Sequence, residues 1–465
     1  MEWLLPRMSG RGGGTRRQGP VRNHVRTFTK AGSLTMARLI ETLLHVFRAL
    51  RHRNYRLFFF GQGVSLIGSW MQTLAMGWLV YRLTDSKMLL GFVPFCSQIP
   101  SFFLAPLAGV WVGRADLRKF LVITQSLLVL PALVLALLFL TKHIQVWHII
   151  ALSLCVGFIN AFDITGRQSF VVKMVDDKAD LGNAIALNSM LFNSARLVGP
   201  AIAGFVVDLV GEGMCFLLNA ISFLAVIASL LAMRIKPHER LPKRYVLHEM
   251  REGLSYAFRF VQMRWLLLQI AMISLMVSSY AILMPVFAKD ILHGGAKTLG
   301  ILQSSVGVGA LMGAIYLASR GNAVGLEKII MRAVFLLGTA LVAFSQSRVM
   351  PLSMFCLALA GFGMMVNMAS SNTVIQTIVD DDKRGRVMSF YTMSFMGMAP
   401  FGSLLAGALA SWITAPGAVC FAGLTCMVAV FLFAPKIRGL DRVIRAAYGK
   451  KKELPTVPDA PAIAK

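Results

Sequence analysis

The sequence predicts an all-α polytopic membrane protein, and both its composition and its long apolar runs support this fold class. Of the 465 residues, 56% are hydrophobic and only 15% are charged, and the mean hydropathy is +0.67. A soluble domain carries about 25% charged residues, so this chain has too few charges for one. Apolar runs of about 20 residues, the length that crosses a bilayer, recur from residue 57 to residue 435.

Twelve of these runs predict transmembrane helices, and a basic stretch separates them into two groups of six. The first group is expected at 57–82, 88–112, 120–141, 145–166, 183–208 and 213–234. The second group is expected at 264–288, 297–319, 327–346, 350–377, 386–411 and 416–435. The predicted domains are therefore a tail at 1–56, a bundle at 57–234, a linker at 235–263, a bundle at 264–435 and a tail at 436–465.

The basic residues predict how the chain is oriented in the membrane. Of 47 Lys and Arg residues, we place 40 in the tails and alternate loops, 6 in or beside the opposite loops, and Arg196 within a span. Cytoplasmic loops carry such an excess, so we expect both termini in the cytoplasm. The same sorting argues against nucleic-acid binding, which the net charge of +26 would otherwise suggest.

Residues 1–56 lack the apolar segment that precedes the cleavage site of a signal peptide, and we do not interpret them as one. The helical pattern that leads into the first span begins at Met36, which we expect to be the native start.

Nothing in the sequence predicts an enzyme, a metal site or a cofactor. The nucleotide-binding pattern GxxxxGK[ST] is absent, and HEMRE at 248–252 lacks the second histidine of a zinc protease. The acid run at 380–382 precedes basic residues, which favours charge pairing over metal binding. The cysteines lie in apolar stretches without CxxC spacing, so we expect buried small side chains at Cys96, Cys155, Cys215, Cys356, Cys420 and Cys426.

A short pattern recurs in the two halves. VDDKAD at 175–180 precedes a span with Pro200, and VDDDKRGR at 379–386 precedes a span with Pro400. The acidic stretches are offset by 204 residues and the prolines by 200, which one small gap reconciles. Duplication of six spans predicts a pseudo-twofold axis along the membrane normal and a central site between the halves.

Three long stretches carry a family resemblance: GQGVSLIGSWMQTLAMGWLVYRLTDS at 61–86, the stretch 163–204, and SSNTVIQTIVDDDKRGRVMSFYTMSFMGMAPFGSLLAG at 370–407. With six plus six spans and a basic central loop, they resemble the enterobactin-exporter-like branch of the major facilitator superfamily. The resemblance implies the major facilitator fold. It also implies secondary-active export of a small amphipathic organic molecule, siderophore-like or drug-like, in exchange for protons. A fold does not by itself determine a substrate.

The loop GVWVGRADLRK at 109–119 resembles the signature loop of that superfamily, in which an aspartate helps to latch the cytoplasmic gate. Gly113 stands where that aspartate is expected. Either Asp116 replaces it or the gate is looser, and a plain positive-inside anchor is the alternative interpretation. The gating candidates in this loop and after the second acidic stretch are Gly109, Arg114, Asp116, Arg384 and Arg386.

In the fifth span, ARLVGPAIAG at 195–204 resembles the glycine–proline motif of exporter branches. Gly199 and Gly204 permit close helix approach, and Pro200 removes one backbone hydrogen bond, which predicts a bend. We expect this motif to serve both packing and gating, with packing alone as the alternative.

Arg196 is the candidate for a substrate or coupling residue. A charge at bilayer depth costs roughly 2.5–3.5 kcal/mol, so it requires a partner or a wet cavity. Asp163 is the clearest carboxylate within a span, but it lies near the predicted end of the fourth. Arg167 lies one helical turn from Asp163 and is the nearer partner. Our hypothesis is that Arg196 faces a wet cavity. For Asp163 we favour structural pairing with Arg167, and a role as the proton carrier of a coupled transporter is the alternative.

Polar side chains recur on one face of the first, fifth and tenth predicted spans, where they face protein or water and not lipid. We expect them to line a cavity for an amphipathic substrate, and hydrogen bonds between helices are the alternative. The residues are Gln62, Ser65, Ser69, Gln72, Asn193, Asn372 and Gln376.

The sequence therefore predicts a monomeric transporter in the inner (plasma) membrane of a bacterium, whose partners are a small-molecule substrate, protons and membrane lipid. Two alternatives stay open. One is a lipid or lysolipid flippase, which needs no coupling carboxylate, and the other is a non-transporting scaffold or sensor on a transporter fold. Ion-coupled uptake is also compatible with the sequence.

Overall fold

The computed structural model of the chain describes residues 47–112, 115–171, 173–175, 177, 180–234, 261–320, 324–379, 383–437, 439–441 and 444–445. Several predictions concern residues outside this part: Met36, Gly113, Arg114, most of the linker 235–263 and the acid run 380–382. The side chains of Arg384 and Arg386 lie outside it as well.

Twelve long helices in the described part correspond to the predicted spans. The first six are α1 (Arg53–Thr84), α2 (Lys87–Val112), α3 (Leu117–Leu140), α4 (Val146–Val171), α5 (Leu181–Val210) and α6 (Glu212–Ala232). The last six are α7 (Val261–Val286), α8 (Ala296–Ala318), α9 (Leu326–Gln346), α10 (Met350–Ile378), α11 (Arg384–Thr392 with Ala399–Ile413) and α12 (Ala415–Ile437). One π-helical turn, Phe287–Ile291, extends α7, and another, Met393–Gly397, lies within α11.

Among the described helices, 11 are long and apolar enough to cross a membrane. The remaining one is α1, which has 32 residues but carries more polar side chains. Most predicted boundaries agree with the helices to within a few residues. The prediction was wrong for the fourth span, because α4 continues to Val171 and so places Asp163 two turns inside the helix.

Helices within each half pack closely because small residues let their backbones approach. In the first half, α1 packs on α5 and α6, and an added Cβ at Gly68 would lie 2.6 Å from Ser222 Oγ of α6. In the second half, α8 packs on α10, and an added Cβ at Gly361 would lie 2.2 Å from the Val306 carbonyl oxygen. Apolar helices gain little from association in lipid, so such close contacts supply much of the cohesion.

The most extensive contacts between the two halves are two seams, α5 against α8 and α2 against α11. In the first seam, an added Cβ at Gly204 would lie 3.1 Å from the Cα of Gly300. In the second seam, an added Cβ at Gly91 would lie 3.1 Å from the Cα of Gly407. Both seams are therefore backbone-to-backbone contacts between glycines.

Both seams lie at the same end of the helices, where α1 ends at Thr84 and α2 begins at Lys87. We call this the Asp85 end, after the residue that links these two helices. At this end Lys289 Nζ lies 2.5 Å from Asp85 Oδ1, and the Tyr81 hydroxyl donates to Asp290. These contacts join α1 to the π-helical turn that extends α7, and they add polar links between the halves to the two glycine seams.

Valine at Gly300 or at Gly91 is expected to loosen the seams. The new Cβ would lie 2.6 Å from the Pro200 carbonyl oxygen at Gly300, or 2.3 Å from the Ser403 carbonyl oxygen at Gly91. Overpacking of this kind costs about 1–3 kcal/mol. Thermal unfolding in detergent, followed by tryptophan fluorescence, should show a lower midpoint for both variants.

The matched control for these variants is Gly109→Ala, because no heavy atom lies within 4 Å of an added Cβ there. A Gly300→Val protein as stable as Gly109→Ala would mean that the seam tolerates separation of the two helices.

Candidate functional site

Arg196 lies in the middle of α5, roughly 22 Å along the helix from Leu181 at 1.5 Å per residue. Its side chain is half-buried, and its Nη2 atom lies 4.0 Å from the Met364 sulfur on α10. Its guanidinium carbon lies 5.8 Å from the ring centroid of Trp70 on α1. The hydroxyl of Tyr280 on α7 donates to the same sulfur at 3.6 Å. The site thus takes side chains from two helices of each half.

The guanidinium of Arg196 has no counter-ion in the described part of the chain, since no described carboxylate lies within 4.0 Å of it. Its neighbours are an indole, a thioether and a phenol, all of them neutral. Such a charge at bilayer depth is expensive unless water or a ligand reaches it. That Arg196 faces a wet cavity between the halves stays a prediction.

Trp70 is placed beside Arg196 by the glycine–proline motif. An added Cβ at Gly199 would lie 2.5 Å from the Cβ of Trp70, so only glycine lets α1 approach α5 this closely. Trp70 also meets Phe192 edge-to-face, with ring centroids 5.9 Å apart. The two rings form an aromatic surface next to the guanidinium. α5 runs without interruption through Pro200.

Asp163 forms a separate buried cluster between α3 and α4. Its Oδ2 atom lies 2.8 Å from Arg167 Nε, one helical turn on, as the sequence predicts. Its Oδ1 atom accepts hydrogen bonds from Thr124 Oγ1 at 2.7 Å and from Gln125 Nε2 at 2.8 Å. The Asp163 side chain is fully buried, so the carboxylate is held by these three partners and is not the partner of Arg196.

The second half has a neutral residue at the position that corresponds to Asp163. At the offset of 204 residues that aligns the acidic stretches, Asp163 corresponds to Asn367. The Asn367 Oδ1 atom accepts a hydrogen bond of 3.2 Å from Gln269 on α7, and both side chains are buried. Of these two corresponding positions, the one in the first half therefore carries a buried ion pair and the one in the second half does not.

The polar face of α1 is directed largely at α6. Gln62 and Ser65 are buried, and Gln72 Oε1 accepts a hydrogen bond of 2.7 Å from Asn219 of α6. Ser69 is half-buried. For Gln72 the structure therefore shows the hydrogen bond between helices that was the alternative interpretation, and a role for this face in a cavity stays a prediction.

The polar candidates of α5 and α10 bond within their own helices. Asn193 Nδ2 donates to the Ser189 carbonyl oxygen at 2.8 Å, and Gln376 Nε2 donates to Asn372 Oδ1 at 2.8 Å. Asn193 and Asn372 are half-buried and Gln376 is exposed, so these side chains are accessible. Their contact with a substrate stays a prediction.

The residues of the signature-like loop that are described have local roles. Asp116 caps the start of α3 by accepting hydrogen bonds from the backbone nitrogens of Arg118 and Lys119 at 3.1 and 3.3 Å. Arg118 donates to the carbonyl oxygens of Leu230 at 2.7 Å and Leu231 at 2.6 Å, at the end of α6. Burial lowers the pKa of the nearby Lys173, and the carboxylate of Asp116 opposes that shift.

Two of the cysteines are not buried. Cys155 is exposed on α4 and Cys420 is half-buried on α12, whereas the other four are buried. The prediction of six buried side chains was therefore wrong for these two. Among the described residues, no group of three or more His, Cys, Asp or Glu side chains is arranged to hold a metal ion.

Comparison with known proteins identifies the family. Residues 45–447 match the family described as transmembrane secretion effectors, a branch of the major facilitator superfamily. The chain belongs to this family. The predicted fold is thereby confirmed: this protein is a multi-pass membrane transporter of the major facilitator type, and the part of the chain that the structure describes holds twelve long helices in two groups of six.

Relatives of this secretion-effector protein include transporters of siderophores and drugs. It is 25% identical over 354 residues to the staphyloferrin A transporter of Staphylococcus aureus, which covers 75% of this chain and 88% of that protein. It is 24% identical over 416 residues to the macrolide efflux protein A of Streptococcus pyogenes, covering 84% of this chain and 99% of that one. These relatives support efflux as the class of transport.

A solved structure shares the fold. It is a bacterial homologue of the human lysosomal transporter Spinster, crystallised in an inward-facing, unoccupied conformation. The match has a TM-score of 0.61 at 12% sequence identity and covers 86% of this chain and 98% of that one. At this identity, the likeness concerns the fold alone.

The partners of Arg196 were not predicted from the sequence. Trp70, Tyr280 and Met364 lie on α1, α7 and α10, and no spacing along the chain connects them with α5. The one sequence signal was the glycine–proline motif, which predicted a close approach of another helix to α5 at Gly199 without indicating which helix.

Arg167→Gln is expected to destabilise the protein more than Asp163→Asn does. Loss of Arg167 leaves the fully buried carboxylate of Asp163 without a counter-ion, and breaking a buried pair in this way costs about 3–5 kcal/mol. In Asp163→Asn the remaining charge is the Arg167 guanidinium, whose side chain is 24% exposed, so water can solvate it. Chemical unfolding in detergent measures the difference, and equal losses would mean that the cluster is hydrated.

Proposed function

We propose that this protein is a secondary-active efflux transporter of the bacterial inner membrane that exports small amphipathic organic molecules. The observation that carries this proposal is the unpaired Arg196 guanidinium between the two halves, at the middle of α5. A transporter needs a binding group near the bilayer midplane that both halves reach. Similarity to a macrolide efflux protein supports export as the direction, and similarity to a staphyloferrin A transporter supports an organic molecule as the substrate.

The mechanism we propose is alternating access by rocking of the two halves. The seams at the Asp85 end are the contacts that would have to open. Pro200 and Gly204 would act there, opposite Gly300, and Gly199 would act at the contact of α5 with α1. If the basic loops face the cytoplasm, the Asp85 end faces outward, and the described state is closed to the outside. Gly109, Arg114, Asp116, Arg384 and Arg386 would then act in the gate on the cytoplasmic side.

Proton antiport is the coupling that we propose, with Asp163 as the proton carrier. Asp163 is fully buried in the first half and is held by Arg167, so protonation would break an ion pair. Protonation would release Arg167 and would weaken the hydrogen bonds that Thr124 and Gln125 of α3 donate to the carboxylate of Asp163 on α4. Such a local change at the contact of α3 with α4 can bias a two-state element. The family resemblance, and not the geometry, is the support for protons as the coupling ion.

Transport into inverted membrane vesicles tests the proposal. Vesicles that contain the wild-type protein should accumulate radiolabelled staphyloferrin A or a labelled macrolide when they are energised, and nigericin should abolish this accumulation. Arg196→Ala should reduce the rate by about 10-fold or more if a charge-assisted hydrogen bond is lost. Asp163→Asn should keep exchange of substrate down its gradient but lose the response to the pH gradient.

Each vesicle assay should be normalised to the amount of folded transporter. Full activity of Arg196→Ala would remove that residue from the mechanism. Movement of a fluorescent phospholipid without any pH gradient, and without uptake of either labelled compound, would favour the flippase alternative.

The Asp85–Lys289 pair should bias the protein toward closure at the Asp85 end. Its side chains are 71% and 36% exposed, so the pair is worth at most about 1 kcal/mol. Asp85→Asn and Lys289→Gln should each raise the rate at which a maleimide labels a cysteine introduced at Ala296, by up to about 5-fold. The asparagine suits the left-handed backbone of residue 85, where φ is 49°.

The double variant provides the control for this pair. If the two residues act through each other, the double variant should label no faster than either single variant. Additive rates would mean that each side chain acts independently of the other.

A further inference from the structure

Among the described residues in the middle of the long helices, Arg196 is the charged side chain that has no counter-ion. Four described carboxylates have partners: Asp163 has Arg167, Glu212 has Arg82, Asp85 has Lys289, and Asp290 has Tyr81. Asp208 lies near Gly295 at the Asp85 end of α5, where it is exposed, twelve residues along the helix from Arg196. The groups that surround Arg196 are neutral. The described part of the protein therefore offers this guanidinium no counter-ion of its own.

Arginine cannot remove this imbalance by losing its proton. The guanidinium stays protonated in proteins, whereas a lysine in the same place could release a proton and become neutral. Its planar fork of N–H donors matches the two oxygens of a carboxylate. A fixed cation with free donors at this depth is thus suited to an anionic ligand that arrives from solution.

The surroundings of Arg196 suit the apolar part of such a ligand. The rings of Trp70 and Phe192 meet edge-to-face next to the guanidinium, and Met364 adds a flexible thioether on the opposite half. The hydroxyl of Tyr280 lies within reach of both the Met364 sulfur, at 3.6 Å, and the Arg196 guanidinium. A thioether is a weak acceptor, so this hydroxyl can turn to donate to an anion that Arg196 binds. A molecule with a carboxylate and an apolar body satisfies all of these groups together.

We propose that Arg196 binds the anionic group of the transported molecule, a carboxylate in the first instance, and that the substrates are amphipathic organic anions. Arg196 approaches Trp70 of α1 and Met364 of α10, so the bound anion would touch both halves at once. For transport of the bound molecule this inference rests on the proposed efflux function, whereas the binding itself does not.

Matched pairs of acids and amides test the charge requirement. The probes are 1-naphthylacetate with 1-naphthylacetamide, and decanoate with decanamide, titrated calorimetrically into protein in phosphatidylcholine nanodiscs at pH 7. Wild type should bind each acid more tightly than its amide by about 10-fold or more. Arg196→Gln should lose this preference and keep its affinity for the amides. Arg196→Lys should keep part of it, because an ammonium retains the charge without the fork.

Arg320→Gln is the matched control, because it removes one positive charge from an exposed position at the end of α8. This variant should keep the preference for acids. A preference that falls equally in Arg320→Gln would trace to the overall positive charge of the protein and would overturn the proposal. The comparison of wild type with Arg196→Lys and Arg320→Gln decides the matter even if Arg196→Gln does not fold.

Phosphatidylglycerol distinguishes a soluble anion from a lipid headgroup. If this lipid displaces the acid probes from wild type when added to the nanodiscs, the site belongs to anionic headgroups and the assignment to soluble substrates is overturned. Unchanged binding of the acids supports the proposal. Equal affinities for acid and amide in wild type, or an unaltered preference in Arg196→Gln, would also overturn it.

The vesicle assay separates failure of this inference from failure of the efflux function. If the protein binds the acids more tightly than the amides in nanodiscs but shows no gradient-driven uptake in vesicles, the result would support the anion site and contradict the efflux function. Gradient-driven uptake that is as fast for an amide as for its acid would support efflux and overturn the anion site.

Discussion

Contact between helix backbones at glycine is the interaction on which this structure depends. In a bilayer, apolar side chains gain little by leaving lipid for protein, so helices associate through close packing and hydrogen bonds. Glycine supplies that packing within each half, as at Gly361 against Val306, and between the halves, as at Gly204 against Gly300. The same contact at Gly199 brings Trp70 to Arg196. Glycine contacts therefore hold the helices of each half together, join the two halves to each other and bring the side chains of the central site into contact.

The arrangement of charges follows from the same bilayer constraint. Lys289 with Asp85 and Arg82 with Glu212 pair at the ends of helices, where water is near. Asp163 lies deeper, fully buried, and is neutralised by Arg167 on its own helix. Arg196 departs from this pattern, since the described groups around it are neutral. Because the buried carboxylates among the described residues have partners, this departure is the observation that supports our proposal of a substrate site at Arg196.

Much of the fold followed from the sequence, because the length of an apolar run directly reflects the thickness of the bilayer. The orientation that the basic residues indicate stays a prediction. The i,i+4 pair of Asp163 and Arg167 is likewise a local property of one helix, and the structure confirms it. The partners of Gln72 and Arg196 are different. A helix that is apolar on most sides has no periodicity that determines its rotation, so the approach of Asn219 to Gln72 depends on packing. For the signature-like loop the structure shows a local role, since Asp116 caps α3, and its part in a gate stays a prediction.

The two π-helical turns make the halves mechanically unequal. Both lie in the second six helices, at Phe287–Ile291 and at Met393–Gly397, and the described first six helices contain none. A π-helical turn holds an extra residue in the helix, and its backbone hydrogen bonds can be exchanged for α-helical ones at small cost, which shifts the register beyond it. In the rocking that we propose, α7 and α11 would be the helices whose register can change, whereas the first half has no such turn among its described residues.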